Sequence, residues 1–310
     1  MLNAFFTRLW WARILVPAVF VAASLYMHLR GRVRLKLLRQ LGNHATLMAP
    51  YNVLMYVFSA VPARPIVQRR DFPELDVLRD NWEVIREEAL ALCGAGRIRA
   101  SERHDDVGFN SFFRHGWKRF YVKWYGAPLG SARKMCPRTV ALVDSVSTVN
   151  AAMFALLPPG GRLSRHRDPF AGSLRYHLGL VTPNSDACRI YIDGQPSAWR
   201  DGDDIVFDET YVHYAENATD QYRIILFCDV ERPLKTPVIR ALNRFMERTV
   251  MRAAATQNTV AEPVGVLNRI YALTGRGGEL LRRAKRANRT LFRTAKQLLI
   301  AGILYWLVPG

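Results

Sequence analysis

Cysteine is scarce in this sequence of 310 residues. The four cysteines are Cys93, Cys136, Cys188 and Cys228, and no two of them form a CxxC pair. A disulfide framework and a zinc ribbon both need paired or closely spaced cysteines, so neither is expected. We expect reduced, mostly buried thiols of the kind found in cytosolic domains.

Acidic residues are missing from the first 70 positions, which carry ten Lys and Arg. Residues 231–310 carry fifteen Lys and Arg against four Asp and Glu, whereas residues 71–230 carry nineteen against twenty-two. The basic excess behind the net charge of +18 therefore lies in the flanks, which also contain the long apolar runs. Basic residues beside apolar runs favour an anionic membrane surface as the partner rather than nucleic acid.

Both flanks predict membrane attachment. Residues 9–29 are apolar except at Arg13, Ser24 and His28, and a bilayer-spanning helix needs about 20 such residues. Basic residues follow this run at once, so the positive-inside rule places the next part of the chain in the cytoplasm. The apolar tail, residues 298–309, follows a basic helix and is short for a span. We expect it to lie in the membrane interface, and folding back on the soluble core is the alternative.

Two further segments leave alternatives open. Residues 46–63 form an apolar run broken by Pro50, Asn52 and Pro62, which favours a buried or interfacial segment over a second span. Residues 106–126 mix aromatic and basic side chains, which fits either strands with a solvated basic face or a groove for an anionic head group. Between them, Asp71 and Glu74 predict a capped start for an amphipathic helix that packs on a core.

The pattern changes between residues 148 and 230. Short apolar runs alternate there with turn residues such as Asp193-Gly194 and Asp201-Gly202. Several short strands with such breaks are typical of an all-β sandwich or barrel.

One stretch of this region concentrates the polar chemistry. His166 and Asp168 are two residues apart, as are Arg175 and His177. Side chains at i and i+2 of a strand share a face, so these groups are expected to converge on one pocket. His-x-Asp supplies two ligands of a 2-His-1-carboxylate iron site, and His213 is the candidate for the third.

Arg223 lies ten residues after His213, within an alternating apolar strand. A buried guanidinium there needs an anionic partner, because an unpaired buried charge is very costly. A dicarboxylate cosubstrate is a suitable partner, since arginine binds carboxylates through two parallel hydrogen bonds. A His-x-Asp with a later histidine is weak evidence alone, and the arginine at this spacing makes the pattern more specific.

These residues resemble a known family. The run HRDPFAGSLRYHLGLVTP, with the later run DGDDIVFDETYVHYAENATDQYRIILFCDV, is similar to the aspartyl/asparaginyl β-hydroxylase family of Fe(II)/2-oxoglutarate oxygenases. The resemblance covers roughly residues 148–234, with weaker similarity upstream to about Phe72. It implies a mainly β fold with flanking helices, whose core is a double-stranded β-helix (a cupin-like jelly roll), here with membrane-anchoring helical termini.

The resemblance also implies roles for individual residues. His166, Asp168 and His213 would bind Fe(II), and Arg223 would hold the distal carboxylate of 2-oxoglutarate. His177, with Arg175 beside it, would lie near the other end of the cosubstrate, and O₂ would be the oxidant. The implied organisation is an anchor and basic segment at 1–45, the oxygenase domain at 46–234 and a basic helical region with an apolar tail at 235–310.

Two departures from the family pattern favour one branch of it. The peptide-acting animal enzymes have Gly where Asp168 stands, and they have Ser near the cosubstrate where this chain has Ala155. Together with the flanks, this resembles the bacterial lipid A 2-hydroxylases, which implies hydroxylation at C2 of a secondary acyl chain of lipid A, or of another membrane lipid. The implied place is the inner membrane, with the catalytic domain facing the cytoplasm. A membrane-tethered hydroxylase of a peptide or small molecule, and a non-catalytic membrane-bound β-rich scaffold, are the alternatives.

Overall fold

The computed structural model describes residues 10–36, 44–101, 106–273 and 288. The strands in this part of the chain are β1 Ile66–Val67, β2 Lys118–Trp124, β3 Val149–Leu157, β4 Arg162–His166, β5 Ser173–Val181, β6 Cys188–Ile192, β7 Gln195–Ala198, β8 Asp204–Phe207, β9 His213–Asn217 and β10 Arg223–Glu231. The α-helices are α1 Trp10–Leu29, α2 His44–Leu47, α3 Ala49–Val57, α4 Asp76–Asp80, α5 Trp82–Gly94, α6 Asn110–Phe113, α7 Gly130–Met135, α8 Pro137–Ser145 and α9 Pro237–Met246. A π-helical stretch, Glu247–Met251, continues α9.

The strands form two antiparallel sheets. The larger has the order β1-β8-β5-β10-β3-β2, and the smaller has the order β4-β9-β6-β7. From β3 to β10 the chain crosses repeatedly between the sheets, as in a double-sheet jelly roll. The predicted mainly β fold with helices is confirmed, and the turn at Asp193-Gly194 joins β6 to β7 with positive φ at both residues.

The alternation of β10 decides which side chains face the interior. Ile224, Leu226 and Cys228 point outward into a core that the helical layer covers, with Leu78, Ile85 and Leu92 supplied by α4 and α5. Ile225 and Phe227 point inward, between the sheets, where they meet Ile190 and Ala215 of the smaller sheet. The interior of the roll therefore lies on the face of β10 that carries Arg223.

The start of the helical layer differs from the predicted one. Two 3₁₀ turns, Arg69–Asp71 and Pro73–Leu75, precede α4, which is the first α-helix of this layer and begins at Asp76. Asp71 is thus the last residue of a short turn and not a helix cap, because Pro73 begins a separate turn two residues later. The predicted apolar face is nevertheless buried, with Phe72 and Leu75 fully covered.

The first helix packs one side against the domain. Ala23 and Met27 of α1 join Met55 and Tyr56 of α3 in a buried cluster that also contains Leu234. The side chains of α1 away from this cluster are apolar and exposed; they are Leu15, Val16, Val19, Val21, Leu25, Tyr26 and Leu29. Within the described ranges, no helix combines the length and the hydropathy that crossing a membrane requires. The predicted bilayer-spanning anchor is not supported by this finding.

The end of α1 is attached to the loop between β8 and β9. The Arg30 guanidinium lies 3.7 Å from the ring centre of Tyr56 and 3.9 Å from that of Tyr211. It also pairs with Asp208 at 3.0 Å, and the fully buried Arg232 pairs with the same carboxylate at 2.9 Å. Burial raises the pKa of Asp208, but the two guanidinium groups outweigh it and hold the pKa at about 2. The loop that leads into β9 is consequently held by a buried charge cluster.

Two other expectations concern the flanks. Residues 46–63 contain α2 and α3, and α3 buries Ala49, Asn52, Met55 and Tyr56, which agrees with the predicted buried segment. The apolar tail at 298–309 and its preceding basic helix lie outside the described residues, apart from Asn288. The proposed domain boundaries at 45 and 234 stay predictions.

Candidate active site

Two strands of the smaller sheet bring the three predicted metal ligands together. His166 is the last residue of β4, His213 is the first residue of β9, and the two are direct partners in the ladder. Their ring centres are 4.2 Å apart. One ligand atom from each of His166, Asp168 and His213 lies within 4.8 Å of the others. In the part of the chain that the structure describes, this is the one such cluster with three or more candidate ligands.

Each histidine ring is oriented by a backbone carbonyl. Nδ1 of His166 is 2.6 Å from the carbonyl oxygen of Ser164, and Nδ1 of His213 is 3.0 Å from that of Tyr211. When Nδ1 donates to a carbonyl, Nε2 carries the lone pair that a metal needs. Both rings therefore have the tautomer and the orientation of metal ligands.

The protonation states also suit a cation. Burial and the neighbouring His166 together lower the pKa of His213 to about 3, so the imidazole is neutral at physiological pH. Burial raises the pKa of Asp168, but Arg175 and the two histidines outweigh it and bring the pKa below its ordinary value. A neutral imidazole and an ionised carboxylate are the forms that bind metals.

Asp168 reaches the cluster from a different position than predicted. It lies beyond the end of β4, so the i, i+2 argument for a shared strand face does not apply to it. Its backbone N–H donates instead to the carbonyl oxygen of Glu209, at 3.0 Å. Its side chain is 22% exposed and approaches His166 Nε2 to 3.9 Å. The loop after β4, and not the strand, thus brings the carboxylate to the two imidazoles.

The cavity between the sheets extends from these ligands to Arg223. It encloses about 460 Å³, counting its open side, and is lined by His166, Asp168 and His213 as well as by His177 and Arg223. The triad and the predicted cosubstrate residues therefore share one cavity.

Arg223 is a buried guanidinium without an acidic partner among the described residues. It is 2% exposed, stacks over the Trp199 ring at 4.0 Å, and donates to the carbonyl oxygen of Ala155 at 3.3 Å. Its Nε has no hydrogen-bond partner in the described structure. Burial lowers the pKa of Arg223 to about 10, so the side chain stays charged at physiological pH. An anion that enters the cavity would supply the missing partner.

His177 and Trp199 complete this end of the cavity. Both ring nitrogens of His177 and the indole N–H of Trp199 are buried without a hydrogen-bond partner in the described structure. Burial lowers the pKa of His177 well below its ordinary value, and Arg175 and Arg223 add to the effect, so the ring is neutral. Unsatisfied buried polar groups are rare in folded proteins, and several around one cavity indicate a polar ligand. The cluster fits a dicarboxylate such as 2-oxoglutarate.

Arg175 lines the cavity at the end that holds the three candidate metal ligands. Its Nη2 is 3.0 Å from Oδ2 of Asp168 and also contacts the carboxylate of Glu209, and its Nε is 2.9 Å from Oδ1 of Asp229. The distance between Nε of Arg175 and Oδ1 of Asp229 is short, but the angle at the donor does not suit a hydrogen bond, so this contact is an ion pair only. Arg175 lines the cavity, but its charge is already surrounded by carboxylates.

Aromatic side chains form most of the remaining wall, and the sequence analysis did not identify them as site residues. They are Phe109, Phe112, Trp117, Trp199, Phe207 and Phe227. Phe112 is the nearest to the metal ligands, with its ring centre 4.8 Å from that of His166. The period-2 pattern of β10, which places Phe227 on the same face as Arg223, is the signal that could have found one of them.

Neither of the two expectations for residues 106–126 describes this segment fully. Phe109, Phe112 and Trp117 line the cavity, and Arg119 is buried in an ion pair with Asp106 at 3.1 Å. Lys118 is exposed. The segment therefore contributes an apolar wall more than a basic surface.

Comparison with known proteins agrees with this geometry. The family model described as aspartyl/asparaginyl beta-hydroxylase matches residues 79–233. An ornithine lipid ester-linked acyl 2-hydroxylase of Rhizobium tropici is 38% identical over 139 residues, which is 44% of this chain and 48% of that protein. The aspartyl/asparaginyl beta-hydroxylase of Mus musculus is 27% identical over 168 residues, 52% of this chain and 22% of that protein.

A solved structure, a prolyl-4-hydroxylase of Pseudomonas putida, covers 50% of this chain and 87% of its own with 16% identity and a TM-score of 0.33. This chain spans less than half the length of the two curated relatives named above. The family match extends over half of the chain and contains the metal-ligand cluster, His177 and Arg223. The chain belongs to the aspartyl/asparaginyl beta-hydroxylase family.

Proposed function

We propose that this protein is an Fe(II)- and 2-oxoglutarate-dependent oxygenase that hydroxylates C2 of an acyl chain on a membrane lipid. The observation that carries the proposal is one cavity with a 2-His-1-carboxylate cluster at one end and, at the other, a buried guanidinium for which the described residues provide no acidic partner. The cluster is the donor set that non-haem Fe(II) oxygenases use. The guanidinium suits the distal carboxylate of a keto acid.

The residues of the chain would have separate tasks. His166, Asp168 and His213 would hold the metal, and three protein ligands leave positions open for other molecules. Bound Fe(II), with 2-oxoglutarate and O₂, would supply the oxidising power to insert one oxygen atom into a C–H bond while the keto acid becomes succinate and CO₂. Arg223 would anchor the cosubstrate, and His177 and Trp199 would offer it hydrogen bonds. Phe112, with the other aromatic walls, would exclude water from the reacting atoms.

A lipid substrate is supported by two features. The cavity wall between the two ends is mainly aromatic and apolar, which suits an alkyl chain. The relative that is 38% identical acts on an ester-linked acyl chain of an ornithine lipid. We therefore propose an ester-linked acyl chain as the substrate. Lipid A, through a secondary acyl chain, and ornithine lipid are the two candidate carriers.

Mass spectrometry of lipids tests the proposed activity. Expression of the full chain in a bacterial host that makes both lipids but lacks acyl 2-hydroxylation should add one oxygen atom to the acyl chains of one of them. Fragmentation should place the hydroxyl at C2. The matched control is His166→Ala, which should add none.

Other outcomes of this experiment would support one of the alternative functions. Lipids without added oxygen, together with iron- and 2-oxoglutarate-dependent CO₂ release stimulated by an Asp- or Asn-containing peptide, would support the peptide hydroxylase alternative. Absence of CO₂ release under all these conditions would support a non-catalytic scaffold.

We further propose that the protein works at the cytoplasmic face of the bacterial inner membrane, and α9 supports this. Its exposed apolar residues Val238, Leu242 and Phe245 are spaced four and three apart, so they form one stripe along the helix. Two exposed arginines, Arg240 and Arg244, lie on the same helix. The helix packs through Ile239 into the cluster that also holds α1 and α3. An apolar stripe on a helix that also carries exposed basic residues is typical of helices that lie in the interface of an anionic bilayer.

A local fluorescence measurement tests this membrane contact. Leu242→Cys, labelled with a polarity-sensitive dye in a Cys93→Ser background, should shift its emission to the blue when vesicles containing phosphatidylglycerol are added. The same label at Leu90→Cys is the matched control. Leu90 is exposed to a similar degree (38% against 37%), but it lies on α5, in the helical layer over the larger sheet. An unchanged spectrum at position 242, or equal shifts at both positions, would contradict the contact.

A further inference from the structure

The group that contacts Asp168 most closely is Arg175, which no proposed catalytic step uses. Arg175 lies in β5 and faces the interior, directly opposite Asp229 of the neighbouring strand β10. It is 5% exposed, and its charge meets three carboxylates, those of Asp168, Glu209 and Asp229. The pairing of the two strands thus places the guanidinium beside Asp229, on the interior face of the larger sheet.

Two of the carboxylates around Arg175 accept hydrogen bonds from neighbouring hydroxyl groups. Tyr125 donates its hydroxyl to Oδ2 of Asp229 at 2.9 Å, and Ser173 donates to Oε1 of Glu209 at 3.0 Å. Glu209 also accepts the backbone N–H of Asp168 through its carbonyl oxygen, at 3.0 Å. Arg175 therefore holds the side chain of Asp168, and Glu209 holds its backbone.

Asp168 needs such support more than the two histidines do. Both histidines are strand residues with their rings fixed by carbonyl oxygens, whereas Asp168 lies in the loop after β4. Nη2 of Arg175 donates to Oδ2 of Asp168 at 3.0 Å. The other carboxylate oxygen of Asp168, Oδ1, faces His166 Nε2 at 3.9 Å. This arrangement presents a single oxygen to the histidines and prevents rotation of the carboxylate.

From this geometry we propose that Arg175 is a positioning residue: it sets the orientation of Asp168 as a one-oxygen metal ligand, and it is not a ligand of the cosubstrate. The inference rests on the proposed metal site and extends it. Three carboxyl groups already contact Arg175, whereas Arg223 has no acidic partner among the described residues, so a keto acid finds the better partner in Arg223. Outer residues of this kind typically contribute about 10- to 100-fold to metal affinity.

Metal titration of the full chain tests the proposal without turnover. Mn(II) affinity is measured calorimetrically for the wild type and for Arg175→Gln, Asp168→Ala and the double variant. Arg175→Gln should weaken Mn(II) binding by about 10- to 100-fold. In the Asp168→Ala background the same change should have little further effect, because Arg175 acts through Asp168. Arg189→Gln, which removes an ion pair with Glu216 on the smaller sheet, is the matched control and should leave affinity unchanged.

A second variant and a second measurement guard against a folding defect. Arg175→Lys keeps the charge and should recover part of the affinity, and the visible spectrum of the Co(II)-loaded protein should change with Arg175→Gln but not with Arg189→Gln. An equal loss of affinity with and without Asp168, or an unchanged Co(II) spectrum, would show a purely structural role. A raised KM for 2-oxoglutarate with unchanged Mn(II) affinity would show a cosubstrate ligand and overturn the proposal.

The two proposals fail in different ways. If Arg175 and Asp168 are coupled in metal binding but no lipid is hydroxylated, the positioning role holds and the lipid activity does not. If lipid is hydroxylated but the coupling is absent, only the positioning role is lost.

Discussion

Replacing His213 with alanine is expected to abolish both metal binding and hydroxylation. His213 is the first residue of β9 and is paired across the ladder with His166, so its removal leaves two of the three ligands. The loss should exceed the roughly 10- to 100-fold that removal of an outer-shell partner costs. Calorimetric titration with Mn(II) and CO₂ release from 2-oxoglutarate measure the two effects. His166→Ala should behave in the same way, whereas Asp168→Ala keeps both imidazoles and should retain weak but measurable Mn(II) binding.

The matched control for this prediction is His115→Ala. His115 is an exposed histidine in the segment whose aromatic residues line the cavity, but it lies outside the cluster of candidate ligands. Its replacement should leave metal affinity and CO₂ release unchanged. Retention of wild-type metal affinity in His213→Ala would contradict the ligand assignment, whatever the activity.

The second large effect is expected from Arg223→Gln, which should raise the KM for 2-oxoglutarate by about 30- to several-thousand-fold. Truncating one partner of a buried charge pair costs about 2–5 kcal/mol, and each 1.4 kcal/mol is a factor of ten. Because Arg223 pairs with no acidic side chain of the described protein, its replacement should not lower the melting temperature of the protein without cosubstrate. Initial-rate kinetics and thermal melting with and without 2-oxoglutarate check both statements.

Thermal melting also separates cosubstrate binding from folding. Added 2-oxoglutarate, with Mn(II) in place of iron, should raise the melting temperature of the wild type and of Arg189→Gln, but not that of Arg223→Gln. If the keto acid stabilised Arg223→Gln as strongly as the wild type, Arg223 would not be its anchor.

The sequence was most informative where spacing along one strand or a matching motif constrains position. The His-x-Asp pair, the distant His213 and Arg223 were all identified in this way, and the structure brings them to one cavity. The alternation of β10 was predicted from its apolar residues, because strand side chains alternate faces wherever the strand lies in the fold.

The ion-pair partners of Arg175 could not be predicted from spacing along one strand. Glu209 and Asp229 are 34 and 54 positions away, and only the pairing of β5 with β10 and the path of the loop before β9 bring them to the guanidinium. The resemblance implied a place near the cosubstrate, and it did not reveal the contact of Arg175 with the carboxylate at position 168.

Hydrophobicity along the chain was similarly ambiguous for α1. An apolar helix of this length can enter a bilayer or pack on a protein surface, and composition does not distinguish the two. The packing of Ala23 and Met27 on α3 shows that one side of the helix contacts the protein. The early helix start at Asp71 was wrong for a local reason, since a capping pattern does not reveal that Pro73 begins a separate turn.

The pairing of Arg30 with Asp208 has a consequence for the order of events during synthesis. The two residues are 178 positions apart, so Arg30 leaves the ribosome long before its counter-ion is made. Until then its guanidinium stays hydrated, because burying it alone is costly. We therefore expect the first helix to emerge early and to dock late, after Arg232, the residue that follows β10, has paired with the same carboxylate. The turn preceding His213 would settle in that same late step, so assembly of the candidate metal site would finish with the attachment of the N-terminal segment.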